Sequence, residues 1–201
     1  MSEHGLTQGP LTESCAHLCV DMQNLFCGTE WHTPWMERVL PVVERLAAAW
    51  PQRTVFTRFI PAARPGEGEG TWRRYWQRWE TMTLQALPPE AVDLLPPLAR
   101  LAPPAEVLDK HFYSPWLETD LHERLRRRGI DTLVVSGAET DVCVLAAVLG
   151  AVDRGYRVVV PTDALCSSSD TTHDALLTLY RKRYGQQVET ATAAEILEAW
   201  R

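Results

Sequence analysis

Apolar and polar positions repeat along this chain with two different periods, and the switches between them outline its elements. His17 to Asp21 is a short apolar run that closes on an acid, the pattern of a buried strand. Thr33-Pro34 marks a helix start, since proline is tolerated in the first turn, and Trp35 to Trp50 carries apolar residues at helical spacing. Thr54 to Arg58 predicts a second strand. From Phe59 to about Pro104 the periodicity breaks down: PAARPGEGEG reads as a surface loop and TWRRYWQRWE as a short aromatic helix beyond it. Alternation resumes with strands at Glu106–Asp109, Thr132–Ser136 and Arg157–Pro161 and a short one near Gln187–Glu189. Helices are expected at Thr119–Arg128, Asp141–Arg154 and Asp170–Arg183, and a last one from Thr192 to Trp200, where Thr192 and Glu195 have the spacing of a capping box.

This order predicts an α/β fold of three layers, α/β/α, around a mostly parallel six-stranded sheet of Rossmann-like type. Residues 1–14 are polar and expected to be a flexible segment; residues 15–201 are long enough for one domain with a full core. In such a sheet, ligands bind beyond the carboxyl ends of the strands. Asp21, Lys110 and Cys143 all fall at that edge: the first two close strands, and the third follows the strand Thr132–Ser136.

Composition narrows the partners. The net charge of -6 comes without a basic stripe, which argues against nucleic acid. No apolar run approaches the roughly 20 residues that span a bilayer, and MSEHGLTQGP lacks the features of a signal peptide, so no membrane partner and a cytoplasmic location are expected. Five cysteines, odd in number and irregularly spaced, fit a reducing compartment better than a disulfide framework. Only Lys110 and Lys182 are lysines among 20 basic residues, and arginine replaces a titratable point charge poorly.

Each candidate has a plain alternative when read singly. Cys143 lies at a helix start, where free N–H groups and the macrodipole favour a thiolate, but a cysteine there can equally be a small buried hydrophobe. Lys110 ends a strand where a buried ammonium needs an anion, or it pairs with Asp109 at a solvated edge. Asp21 is placed to exchange a proton in the crevice, or to cap a turn. Together on one sheet edge, acid, cation and thiol point to nucleophilic catalysis.

With those residues in hand, VDMQNLF, the Lys110 strand end and GAETDVCV together resemble the isochorismatase-like cysteine hydrolases. The superfamily pattern of Asp-x-Gln-x-x-Phe, a lysine before an aromatic stretch and Gly-x-x-Thr-x-x-Cys-Val is met by Asp21/Gln23/Phe26, Lys110 and Gly137/Thr140/Cys143/Val144. The resemblance runs from about residue 17 to the C-terminus and implies the isochorismatase-like hydrolase fold, a Cys143–Asp21–Lys110 triad and a thioester route for an amide, ureido or imide C–N bond. It also implies a cis Ala138-Glu139 peptide, oxyanion donors in the backbone N–H groups of Glu139 and Cys143, and a homodimer or homotetramer. Vinyl-ether hydrolysis of isochorismate belongs to relatives lacking the cysteine. Nicotinamidases carry an Asp-x-His metal motif after the second strand, whereas TRFIPAARPGEG has no Asp and no histidine stands between His32 and His111, so no zinc and no cofactor are expected.

Other features carry weaker expectations. Cys15-x-His17-x-Cys19 spaces its side chains about 7 Å apart on an extended strand, too far to share one ion, and reads as core. GEGEG lacks dinucleotide-loop spacing and reads as a flexible lip. Trp31, Trp35, Trp72, Tyr75, Trp76, Trp79, Phe112 and Tyr113 flank the crevice, and some should line a pocket for a small-molecule substrate. The pocket expected from the sequence comprises Gln23, Phe26, Trp31, Arg58, Trp76, Phe112 and Tyr113, with Arg58 either holding a substrate oxygen or forming an exposed ion pair. His173, in a helix start, reads as structural. Two functional alternatives stay open: the same triad acting on a lactam or ester, and a catalytically silent oligomerisation or binding module.

Overall fold

The computed structural model describes residues 5–201. A seven-stranded sheet forms its middle layer, built from β1 (Cys15–Val20), β2 (Thr54–Phe59), β3 (Glu106–Lys110), β4 (Thr132–Ala138), β5 (Arg157–Pro161), β6 (Leu165–Cys166) and β7 (Val188–Ala191). The order is β3-β2-β1-β4-β5-β7, with β6 beside the end of β4, and every pairing is parallel. The six strands expected from the sequence are present. β6 adds a seventh, two residues long, too short to leave a periodic signal.

Helices cover both faces because parallel strands need crossover connections. On one face α1 (Met36–Ala49) contributes Met36, Val39, Val43 and Leu46 to a core that α7 (Ala193–Ala199) completes with Ile196. On the other, α4 (Leu121–Arg127), α5 (Leu145–Val152) and α6 (Asp170–Lys182) bury Leu121, Leu125, Ala147, Val148 and Tyr180 against the opposite side chains of the same strands. The segment after Phe59 is more regular than its sequence pattern: it holds α2 (Gly70–Arg78), α3 (Pro96–Ala99) and several 3₁₀ turns, and it buries Trp76, Met82, Leu95 and Leu98. No helix among the described residues is long and apolar enough to cross a membrane.

Two further segments are shaped by local contacts. Of the polar segment 1–14, residues 1–4 lie outside the described residues, and residues 5–14 lie against β7 and α7. Gly5 N–H donates to Thr190 O (2.8 Å), Leu11 pairs with Trp200 and is buried, and Arg157 holds the carbonyl of Gly9 (2.7 Å). Polar side chains here conceal a backbone with specific partners. The helix expected over Asp141–Arg154 is in fact a π-helical turn, Thr140–Val144, that runs into α5.

One glycine sets the approach of the two central strands. Gly137 on β4 lies opposite Val20 on β1 with φ +108°, and a Cβ there would fall 2.1 Å from the Val20 carbonyl oxygen. Only glycine lets the two strand ends meet this closely, and Asp21 and the Cys143 turn follow directly from those ends.

Candidate active site

Asp21 is the residue after β1, fully buried and in the left-handed region at φ +50°. Its N–H donates to Thr57 O (3.2 Å), and its carboxylate is held from two sides. Thr57 Oγ1 donates to Oδ1 (2.6 Å), and Lys110 Nζ sits 2.7 Å from Oδ2. Lys110 ends β3 two strands away, and its long side chain reaches back along the sheet edge. The ammonium pairs with Asp21 and donates to the carbonyl of Phe112 (3.0 Å) and to Cys143 Sγ (3.5 Å). It also lies 5.1 Å from the Phe59 ring centre. Acid, cation and thiol are all buried, and Lys110 bridges the other two.

The charges follow from this placement. Burial pushes the Lys110 pKa down, but Asp21 and Cys143 outweigh it and the net direction is up, so the ammonium persists. Burial pushes the Cys143 thiol up, Lys110 opposes it, and Asp21 reinforces it; the net direction is up. Burial thus acts against the thiolate that a helix start would favour. Desolvation at the buried π-turn outweighs the help of one ammonium.

The turn bearing Cys143 is tied to the segment that opens α6. Thr140 Oγ1 is 2.8 Å from His173 Nδ1, Ser167 Oγ donates to Asp141 (2.5 Å), and the Ser168 N–H donates to Glu139 (2.9 Å). His173 is thus occupied in positioning the turn. The Ala138-Glu139 peptide that leads into it is cis.

Above Cys143 opens a cleft of about 310 Å³. Its walls are Phe26, Trp31, Phe59, Tyr75, Trp79 and Tyr113, with Glu139 and Val142 beside the thiol and Glu30, His32 and Ser168 toward solvent. Of the pocket residues expected from sequence, Phe26, Trp31 and Tyr113 line this cleft; Gln23, Arg58, Trp76 and Phe112 do not. Gln23 is buried beneath, accepting from Phe59 N–H (2.8 Å) and donating to Val92 O (2.8 Å) and Phe59 O (3.1 Å). Arg58 points to the other face of β2, since successive strand side chains alternate, and pairs with Asp109 (2.7 Å) and Asp93 (3.3 Å). Trp76 backs Trp31 and Phe59 at 6.1 Å from each. Phe112 offers its carbonyl to Lys110 while its ring packs on Trp72 (5.6 Å).

The alternation that excludes Arg58 places Thr57 and Phe59 on the site side, a signal available in the sequence. Tyr75 and Trp79 stand four residues apart, as neighbours on one helix face do. Glu30, His32, Val142 and Ser168 carry no comparable signal, because only the folded chain brings their segments together. Elsewhere, Cys15, His17 and Cys19 are buried within β1, and His17 Nε2 is engaged with Ser136 Oγ at 2.7 Å.

Fold and site define a three-layer α/β protein with a buried acid, lysine and thiol at the carboxyl edge of its sheet. The family model for the isochorismatase domain matches residues 15–192, and the chain belongs to the isochorismatase family. A cysteine hydrolase from Pseudomonas syringae superposes with a TM-score of 0.83 at 25% identity, covering 99% of this chain and 98% of that one. Among curated relatives, an uncharacterised isochorismatase family protein of Bacillus subtilis, YwoC, is 37% identical over 44% of this chain and 46% of its own. The maleamate amidohydrolase of Pseudomonas putida is 30% identical over 45% and 43%. The chain thus spans about half the length of the curated relatives it matches.

Proposed function

We propose that this chain is a cysteine hydrolase that cleaves an amide-type C–N bond of a small molecule through a thioester. The observation that carries the reading is the ammonium of Lys110, buried 2.7 Å from Asp21 and 3.5 Å from the Sγ of Cys143, which lines an aromatic cleft. Similarity to an amidohydrolase and to a cysteine hydrolase supports it.

The steps follow from the resting charges. As the sulfur attacks the carbonyl carbon, its proton passes to the Asp21 carboxylate, and Lys110 stabilises the negative charge building on sulfur. The oxyanion is received by the backbone N–H groups of Glu139 and Cys143. Asp21 then returns the proton to the leaving nitrogen, the C–N bond breaks, and an amine or ammonia departs. Water attacks the thioester as Asp21 takes its proton, releasing the acid and restoring the thiol. Because burial pushes the thiol up, acylation needs a base beside the sulfur, and Asp21 serves as that base.

The test is turnover of a panel of amides, ureido compounds and imides, read as ammonia or amine release and as an acyl adduct on Cys143 by intact mass. Cys143→Ala should abolish both signals, and Asp21→Asn should slow acylation by about 10²–10⁴-fold, the usual worth of a positioned base. Hydrolysis that survives Cys143→Ala would overturn the reading.

A further inference from the structure

The cleft above Cys143 has a charge character that the acid, lysine and thiol do not dictate. Its walls are interlocked rings: Trp31 lies 5.7 Å from Trp79, 6.1 Å from Tyr75 and 6.1 Å from Phe59 between ring centres. Such a wall is preorganised, and the faces of its rings carry negative electrostatic potential.

Toward solvent the cleft carries two carboxylates and one imidazole. Glu30 and Glu139 line the cleft together with His32, and among the lining residues there is no arginine and no lysine. Glu30 accepts a hydrogen bond from the Thr81 hydroxyl, and Glu139 accepts one from the Ser168 N–H. Neither forms an ion pair among the described residues. Lys110 is committed to Asp21 beneath the floor, Arg58 to Asp109 and Asp93 on the far face of β2, and Arg78, outside the lining, lies over the Trp79 ring at 4.8 Å. An anion entering this cleft would meet two carboxylates and lose its hydration without gaining a donor fork. A cation would meet aromatic rings and carboxylates together.

We infer that the substrate is a small amide whose non-reacting end is positively charged, taken in preference to its neutral isostere, and that amides bearing a carboxylate at that end are rejected. That the amide end lies over Cys143 rests on the hydrolase reading; the charge preference rests on the cleft walls alone.

Binding to the Cys143→Ala protein separates the two. Three probes of similar size are compared by calorimetry: trimethylammonioacetamide, its carbon isostere 3,3-dimethylbutanamide, and malonamate. The cationic amide should bind about tenfold tighter than the neutral one, and malonamate more weakly than either. The cation's advantage should shrink between low and high salt, as interactions with a solvent-facing carboxylate do, and Glu30→Gln should narrow it further. The inference is overturned if malonamate binds as well as the neutral amide, if the cation has no advantage, or if none of the three binds at millimolar concentration. Should the predicted order appear while the wild-type protein turns over none of them, the charge preference stands and the hydrolase reading is the one that suffers.

Discussion

Thr57 is the residue whose removal isolates the candidate base. Its hydroxyl donates to a fully buried carboxylate at 2.6 Å, a charge-assisted bond that water does not replace in a closed site. Thr57→Val keeps the shape and removes the donor, so stability to urea should fall by about 2 kcal/mol, the range for hydrogen bonds to charged groups. No measurable loss would mean that Asp21 is satisfied without it. A second buried group sets a pH response. Burial holds the His17 imidazole down at about 3 from an ordinary 6.5. Between those values the unfolded chain binds a proton that the folded chain refuses, so this contribution to stability is complete above pH 6.5 and drains away as pH falls toward 3. The slope approaches about 1.4 kcal/mol per pH unit for one proton. His173, also lowered by burial, acts in the same direction. Denaturation curves collected from pH 7 to pH 4.5 should show a gentler slope for His17→Asn; an unaltered slope would assign the acid sensitivity to other groups.

At the scale of elements, α5 shows how a helix can read correctly and still hide its constraint. Its run of small apolar residues forecasts a buried helix, and Ala147, Val148 and Ala151 are buried. Gly150 looks like a weak point in that pattern. In the fold it is where Trp116 crosses the helix, donating its indole N–H to Ala147 O at 2.9 Å, and a Cβ on residue 150 would fall 2.2 Å from the indole ring. Gly150→Ala, stabilising in an open helix, should here cost about 1–3 kcal/mol through overpacking. A thermal midpoint at or above that of the wild type would contradict the contact. Other elements were legible because their signals are local. The Thr192–Glu195 spacing does form a capping box on α7, with Thr192 N–H donating to Glu195 at 2.7 Å. The π-turn at Thr140–Val144 was not legible, since its first residues match an ordinary helix start and their bonds to Ser167, Ser168 and His173 come from distant sequence.

Across the whole molecule, the two ends of the chain are joined by a buried charge. Glu189 on β7 is 1% exposed at its side chain and pairs with Arg157 of β5 at 2.6 Å. It also accepts from the backbone N–H groups of Thr7 and Gln8, while Arg157 holds the carbonyls of Gly9 and Pro10. Arg157→Met leaves that carboxylate without a cation, which for a buried pair costs about 3–5 kcal/mol. It should also expose residues 5–10 to limited proteolysis while the β1–β4 centre stays folded. Equal protease resistance in variant and wild type would show that the segment is held by other contacts.

The order of strands and helices, and the presence of an acid, a lysine and a thiol at strand ends, could be read from the sequence by itself, because periodicity and strand-terminal position are properties of short stretches of chain. Tertiary structure alone decided which rings line the cleft above the thiol, that Arg58 turns away, and that burial pushes the Cys143 thiol up. Those outcomes depend on desolvation and packing by residues remote in sequence, and neither has a local pattern to announce it.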